Sequence, residues 1–360
     1  RVWVQGRFRK PPRRSAPCAE KRVTSIGGGP NASGDALQQY LNTAIERWDE
    51  HYRALSPASP GPSLPSNLLQ MFPDEFRPWQ PVKRKGKQCG PNRQALQSQT
   101  DPSELTVVDL GCGLGNDTLL NLLERQRSRR ENDRQESAPH GPSKPPVLNV
   151  HFVDASDVAI EKLRDDPRYR RAMASDGDAT EPEAPAAAVA SRACDLASAD
   201  DAAAADLEGS ADVVLLLFAL SAVGPYRPQR ETPRYSGVTN AARHAARMLR
   251  PGGVALFRDF ARYDDDQLQL NSVVGARLCD NFYVRGSDDD STADREGNGP
   301  AIAGGTGCHF FALEEVERLF ADAGLEASQL EYVTRIHKKK GKNGRDCGKN
   351  GGAVERTRIW

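Results

Sequence analysis

No apolar stretch in this 360-residue chain approaches the roughly 18 residues that a helix needs to cross a bilayer, which argues against a membrane span. Its seven cysteines include no Cys-x-x-Cys pair. An odd number without metal-type spacing argues for free thiols in a reducing, cytoplasmic-type compartment (an organelle being the other possibility), and against a disulfide frame or zinc site. Cys112 and Cys194 read as small apolar side chains. Charge of one sign is lacking too: 49 Lys and Arg balance 49 Asp and Glu, so no whole-molecule field steers it toward polyanions. Core-forming material is scarce, with 38% hydrophobic residues and 6% aromatic and a mean hydropathy of −0.63. No initiating Met and no signal-type apolar region open the chain, which reads as a fragment.

The shortage of apolar residues is concentrated. Segments near 126–146, 174–193, 199–209 and 287–307 are rich in Ala, Asp, Gly, Ser, Pro and Arg and read as disordered insertions. The remainder is still enough for one elaborated domain around a buried sheet. Basic clusters at Arg7 to Arg14, Lys83 to Lys87 and Arg335 to Arg345 face acidic ones at Asp264 to Asp266 and Asp288 to Asp290. Such basic runs suit phosphate binding or an ordinary solvated face.

What is present is most specific at Val107-Val108-Asp109-Leu110-Gly111-Cys112-Gly113-Leu114-Gly115-Asn116. A β-branched run ends in an acid and three alternating glycines, and a Leu-rich helical pattern begins at Thr118. Strand, Gly-rich turn, helix is the entry to a nucleotide-type site, where missing side chains let the backbone approach a ligand. The spacing differs from the G-x-G-x-x-G of dinucleotide folds.

A second strand, Val147 to Asp154, again ends in an acid, and a helical stretch from Ser156 to Arg164 comes next. Asp154 suits bidentate binding of ribose hydroxyls; the alternative is a helix N-cap by Asp154 or Ser156. Asp195 and Leu196 are placed to meet an adenine amino group and ring face. The run Asp212 to Val223 reads as a central parallel strand buried on both faces, mostly core, with Leu217 and Phe218 also able to border the cofactor. A helical pattern at Thr239 to Leu249 stops at Arg250-Pro251-Gly252-Gly253, and the strand Val254 to Phe257 leads to Arg258 and Asp259. Asn281 to Gly286 mixes an amide, aromatics and a cation, which suits an unpaired base or simply a strand with a packed Phe. Phe310 to Val316 with Leu319-Phe320 reads as a strand and amphipathic helix, and Leu325 with Tyr332-Val333 opens a last hairpin.

The Gly-rich turn resembles motif I of class I methyltransferases, which hold S-adenosylmethionine. The stretches DVVLLLFALSAVGP, MLRPGGVALFRDFARYD and NFYVRG resemble the methyltransferase-like enzymes that make 3-methylcytidine in the tRNA anticodon loop. Trp48-Asp49-Glu50-His51-Tyr52 is similar to that family's W-D-x-x-Y helix, whose aromatics cover the cofactor; plain core packing is the other reading. The resemblance implies a Rossmann-like α/β fold, with a mostly parallel seven-stranded sheet, helices on both faces and an antiparallel last strand. It implies that Asp109, Gly111, Gly113 and Gly115 form the cofactor turn, with Asp154 on ribose and Asp195, Leu196 and Leu217 at the adenine. Trp48 and Tyr52 would lie over the site. Arg258, Asp259, Asn281, Tyr283 and Arg285 match signature positions on the substrate side, with Asp259 the candidate to stabilise a cationic product or orient the exocyclic amine.

The pattern departs from the family in two places. After W-D-x-x-Y the family has a basic-aromatic element; here Pro57 to Pro65 replaces it, and only Phe72-Pro73-Asp74-Glu75-Phe76 is similar to the family's next segment. Arg1 to Pro11 resembles the family's final strand, and Arg356-Thr357-Arg358-Ile359-Trp360 resembles the start of that same strand, as in a tandem array or a circular permutation. The expected organisation is therefore a tail or linker (1–34), a cofactor-covering and tRNA-contacting region (35–100) and a methyltransferase domain (101–360). The implied partners are tRNA and an aminoacyl-tRNA synthetase or other tRNA-presenting protein, without membrane or metal. A methyltransferase of protein or small molecules, and a non-catalytic RNA-binding unit, remain the alternatives.

Overall fold

A computed structural model describes residues 2–11, 34–55, 68–76, 79, 104–135, 147–174, 188–199, 202–226, 237–285 and 305–334. In chain order the elements begin with strand β1 (Val2–Arg9), helices α1 (Gly34–Asn42), α2 (Ala44–Ala54) and α3 (Leu68–Met71), then β2 (Glu104–Leu110) and α4 (Asp117–Gln135). Next come β3 (Val147–Asp154), α5 (Asp157–Asp165), α6 (Pro167–Met173), β4 (Val189–Ala193), β5 (Ala211–Leu217), α7 (Leu220–Val223) and α8 (Gly237–Met248). The described chain closes with β6 (Leu249–Phe260), α9 (Asp265–Leu270), β7 (Arg277–Cys279), β8 (Phe282–Arg285), β9 (Thr306–His309), α10 (Leu313–Asp322) and β10 (Glu326–Thr334).

The seven-stranded sheet has the order β10-β1-β6-β5-β2-β3-β4. Strands β2 to β6 pair in parallel, as their near-continuous apolar runs require for a sheet covered on both faces. One face is closed by α8 and α10 through Val238, Ala241, Ala245, Val316, Leu319 and Phe320. The other is closed by α4 with Leu119, Leu120, Leu122 and Leu123, and by Leu68, Phe72 and Phe76. Parallel strands point their carboxyl ends to one edge, where open α/β sheets bind ligands.

The expected antiparallel strand is present, and the opening residues supply it. β1 pairs antiparallel with both β6 and β10, burying Trp3, Val4 and Phe8. Segment 1–34, expected as a tail or linker, thus contributes an interior strand, because alternating Trp3, Gln5 and Val4, Phe8 suit a strand covered on both sides. It is tied to the segment after α3: Gln5 Nε2 donates to the Met71 carbonyl at 3.2 Å, and Arg7 meets Glu75 at 3.0 Å.

Several stretches expected as insertions hold regular structure. α4 continues through Gln135, because Arg, Gln and Glu are good helix formers even without an apolar face. β4 lies inside 174–193, paired with β3. Residues Ala202–Leu207 form a 3-10 turn, anchored by buried Leu207 and an Arg192–Asp206 ion pair at 2.5 Å. The 287–307 stretch ends in the start of β9, at Thr306; residues 136–146, 175–187, 200–201 and 287–304 (with Asp288 to Asp290), the basic clusters at 83–87 and 335–345, Pro57 to Pro65 and 356–360 lie outside the described residues. A second sheet, β7-β8-β9, was not anticipated; it places Asn281, Tyr283 and Arg285 beyond the end of β6.

Candidate active site

The carboxyl edge of β2 turns through Gly111 and Gly113, both left-handed at φ 70° and 53°. A Cβ at Gly111 would run into Ala219, and one at Gly113 would press on the Tyr52 hydroxyl. Glycine is therefore required for conformation and for clearance. The turn is locked to β3: Gly111 N donates to the Val153 carbonyl at 2.8 Å and Gly113 N to Asp154 Oδ2 at 2.8 Å.

Asp154 has a second bond, Oδ1 accepting from Ser156 N at 2.9 Å. Burial pushes its carboxyl up, against the lowering effect of those amides. Ser156 also caps α5 by accepting from Ala159 N, so the N-cap of this region is Ser156 and not Asp154. At the end of β4, half-buried Asp195 spends Oδ1 on Ala197 N at 2.8 Å.

These ends open on a cavity of about 260 Å³. Its wall includes Trp48, Tyr52, Gly111, Asp154, Asp195 and Leu196, and also Phe218, Ala219, Ala222 and Val223. Helices α1 and α2 roof it with Leu41, Ile45, Trp48 and Tyr52. The roof is tied down where α2 meets α5: Ser156 Oγ donates to Asp49 Oδ1 at 2.5 Å, and Lys162 Nζ donates to the carbonyls of Tyr52 and Leu55. Trp48 and Tyr52 pack against each other at 5.8 Å between ring centroids, tilted by 34°, as helical spacing of four predicts. The Trp48 Nε1 is buried without a hydrogen-bond partner.

A glycine cradle, a carboxylate at each of two successive strand ends and an aromatic roof fit S-adenosylmethionine: close backbone approach, ribose hydroxyls, adenine amine and ring face in turn. Asp109, Gly113, Gly115 and Leu217 do not reach the cavity wall. Asp109 is buried behind the turn, its carboxyl raised to about 7 by burial and by Asp154. A Cβ at Gly115 would meet Leu163 and Leu120, so this glycine serves helix packing.

The five residues expected on the substrate side form a second layer instead of cavity wall. Asp259 is fully buried; Oδ2 accepts from Ser221 N and Oδ1 from Phe260 N, both at 2.9 Å. Burial raises its carboxyl to about 7. Its place is that of a clamp joining β6 to α7, which corrects the picture of a carboxylate facing substrate. Arg258 lies over the Trp3 ring at 4.2 Å, and Arg285 over Phe260 at 4.6 Å. Arg285 also meets Asp266 at 3.1 Å. Tyr283 is buried, its hydroxyl donating to Asn271 Oδ1 at 2.6 Å. Asn281 is left-handed, φ 58°, with its side-chain oxygen accepting from Arg262 at 2.6 Å.

Two features escaped sequence reasoning. Trp3, some 250 residues away in the chain, is part of this layer only because β1 pairs with β6. Phe218 departs from strand geometry with φ 57°, a conformation that costs a non-glycine residue roughly 1–2 kcal/mol. The run through Val223 read as one strand, but β5 ends at Leu217 and gives way to α7; only the Phe-Ala-Leu-Ser change in character hinted at it.

A family described as a methyltransferase domain matches residues 82–330. The chain is 30% identical over 238 residues to tRNA N(3)-cytidine methyltransferase METTL2 of Bos taurus, covering 66% of this chain and 46% of that protein. It is 28% identical over 243 residues to METTL6 of Homo sapiens, covering 67% and 63%. The chain spans a little under half the length of the METTL2 relative from Bos taurus. Among solved structures, a SAM-dependent methyltransferase from Anabaena variabilis is 14% identical over 84% of this chain and 85% of its own, with a TM-score of 0.36. No helix among the described residues is long and apolar enough to cross a membrane, and no group of metal-ligating side chains occurs among them.

Proposed function

The chain belongs to the methyltransferase domain family, and on that premise we propose that it transfers a methyl group from S-adenosylmethionine to ring nitrogen 3 of cytidine in tRNA. The observation that carries this reading is the division of the cavity wall. Beneath the ends of β2, β3 and β4 it offers glycine backbone and two carboxylates; beneath β5 it offers Phe218, Ala219, Ala222 and Val223, with no titratable group among the described residues there.

S-adenosylmethionine supplies an electrophilic methyl group carried on a sulfonium. Gly111 admits the methionine portion, Asp154 accepts the ribose hydroxyls, and Asp195 with Leu196 takes the adenine. The ring nitrogen of cytosine carries an in-plane lone pair, so the protein need not remove a proton before attack. A wall without a general base suits such an acceptor, and the protein's contribution is alignment, which can be worth roughly 7–11 kcal/mol. That nitrogen lies on the Watson–Crick edge, so the base must be unpaired, as in an anticodon loop. The names of the relatives support the choice of cytidine and of tRNA. A tRNA-presenting partner such as an aminoacyl-tRNA synthetase, and a cytoplasmic site of action, belong to the same proposal.

The test is methyl transfer from labelled S-adenosylmethionine to tRNA across a salt series. Label should enter RNA, with KM for tRNA rising steeply with ionic strength. Label entering a protein or small metabolite, with little salt dependence, would contradict it.

A further inference from the structure

Strand alternation fails at one residue of the cavity wall. In β5, Val213, Leu215 and Leu217 pack on the α4 face of the sheet, while Val214 and Leu216 pack on the α8 face. Regular alternation would send Phe218 to the α8 face. Its left-handed backbone, φ 57°, turns the ring into the Trp3 and Phe260 cluster instead. Phe260 lies on the same face as Arg258 and Leu256, two and four residues before it in β6. Phe218 N donates to the Arg258 carbonyl at 2.8 Å, which holds the turn in place.

The ring is backed on two sides. Phe260 lies 5.1 Å away and Trp3 6.4 Å away at 78°, edge to face. Both supports are themselves covered by guanidinium groups, Arg258 over Trp3 and Arg285 over Phe260. Phe218 itself is only half-buried and lines the cavity. The result is a half-buried aromatic ring, packed against Phe260 and Trp3, on the cavity wall one strand beyond the glycine turn, on the side away from Asp154 and Asp195. Backbone strain retained by its surroundings points to a role at the site.

We propose that Phe218 is the platform on which the acceptor cytosine stacks, with Trp3, Phe260, Arg258 and Arg285 acting as its positioning layer. This rests on the reading of the chain as a cytidine methyltransferase. Every base has a π-face, so an aromatic platform accepts a flipped pyrimidine while neighbouring contacts choose it. The buried signature residues thereby gain a role, since they hold the platform and do not touch the base.

The experiment compares the full chain with Phe218→Leu, Phe218→Tyr and Phe218→Trp on an anticodon stem-loop RNA. Three readouts are taken: 3-methylcytidine formation, S-adenosylhomocysteine affinity by calorimetry, and fluorescence of pyrrolocytidine placed at the target position. Phe218→Leu should lose about 5- to 150-fold in kcat/KM for RNA, the range that stacking on an aromatic is worth. Tyr and Trp should stay within about threefold, and cofactor affinity within about twofold in all three. Wild-type protein should quench the fluorophore and Phe218→Leu should not. Undiminished transfer by Phe218→Leu, an equal loss in all three variants, or a loss that tracks cofactor affinity would overturn the platform role. Absence of 3-methylcytidine with wild-type protein would overturn the cytidine reading instead, and the quenching would still decide the stacking: a quench kept by Phe218→Leu refutes it.

Discussion

The two halves of the carboxyl edge are built on different principles. On the cofactor half, four of the motif residues touch the cavity directly: Gly111, Asp154, Asp195 and Leu196 stand on its wall, with Asp109, Gly113, Gly115 and Leu217 behind it. On the acceptor half, the motif residues Arg258, Asp259, Tyr283 and Arg285 are one layer back, and the wall itself is Phe218 and small apolar side chains. A cofactor with many polar groups is held by groups aimed at it. On the proposed reading, an acceptor base that needs no proton removed is held by a shaped surface backed by the cation–π contacts of Arg258 on Trp3 and Arg285 on Phe260.

If the halves are separable, a substitution in one should spare the other. The largest expected effect is at Trp3, which β1 contributes to the acceptor layer. Trp3→Ala should cost roughly 3–5 kcal/mol of folding stability and most of the methyl transfer, while the folded fraction keeps cofactor affinity within about threefold. Urea unfolding with calorimetry reads both; a parallel loss of cofactor binding would merge the halves. The mirror experiment is Asp154→Asn, which puts an amide where Gly113 N and Ser156 N both need acceptors. Hydrogen bonds to charged groups are worth about 1.5–3 kcal/mol each, so cofactor affinity should fall on the order of 100-fold while RNA binding persists. Fluorescence anisotropy of the stem-loop checks the second part.

A pH-dependent effect comes from the buried acids, Asp109 in one half and Asp259 in the other, each raised to about 7. In the unfolded chain an Asp loses its proton near pH 4. Between there and pH 7 the folded state holds more protons, so these groups contribute stability that is present below about pH 4 and lost as pH rises through 7. The contribution of each should fall by on the order of 4 kcal/mol over that interval. Asp109→Asn should flatten the profile without changing transfer to RNA beyond its effect on cofactor affinity; thermal unfolding across the pH range measures it.

The same division governs what could be read from the chain. β3 was legible to both ends, Val147 and Asp154, and the glycine turn and the Pro251-Gly252-Gly253 stop were too, because their signals lie within a few residues. The place of Trp3 was not, since only pairing with Phe260, set by tertiary structure, brings it to the site. Phe218 was seen to border the ligand, but the sign of its φ is invisible inside an apolar run. Asp259 carried a substrate-facing expectation because the resemblance puts it at a signature position; in the structure it faces α7, whose Ser221 amide takes it. Asp109 and Gly115 belong to a ligand motif yet serve the fold, behind the turn and against Leu163.

The identity of the product decides most directly between these readings of the site. tRNA incubated with the full chain and S-adenosylmethionine, digested to nucleosides and resolved by mass spectrometry, should contain 3-methylcytidine, with Phe218→Leu greatly reduced and Asp154→Asn reduced through cofactor binding. Methyl groups found only on another base or another cytidine atom, or none in RNA despite bound cofactor, would contradict it.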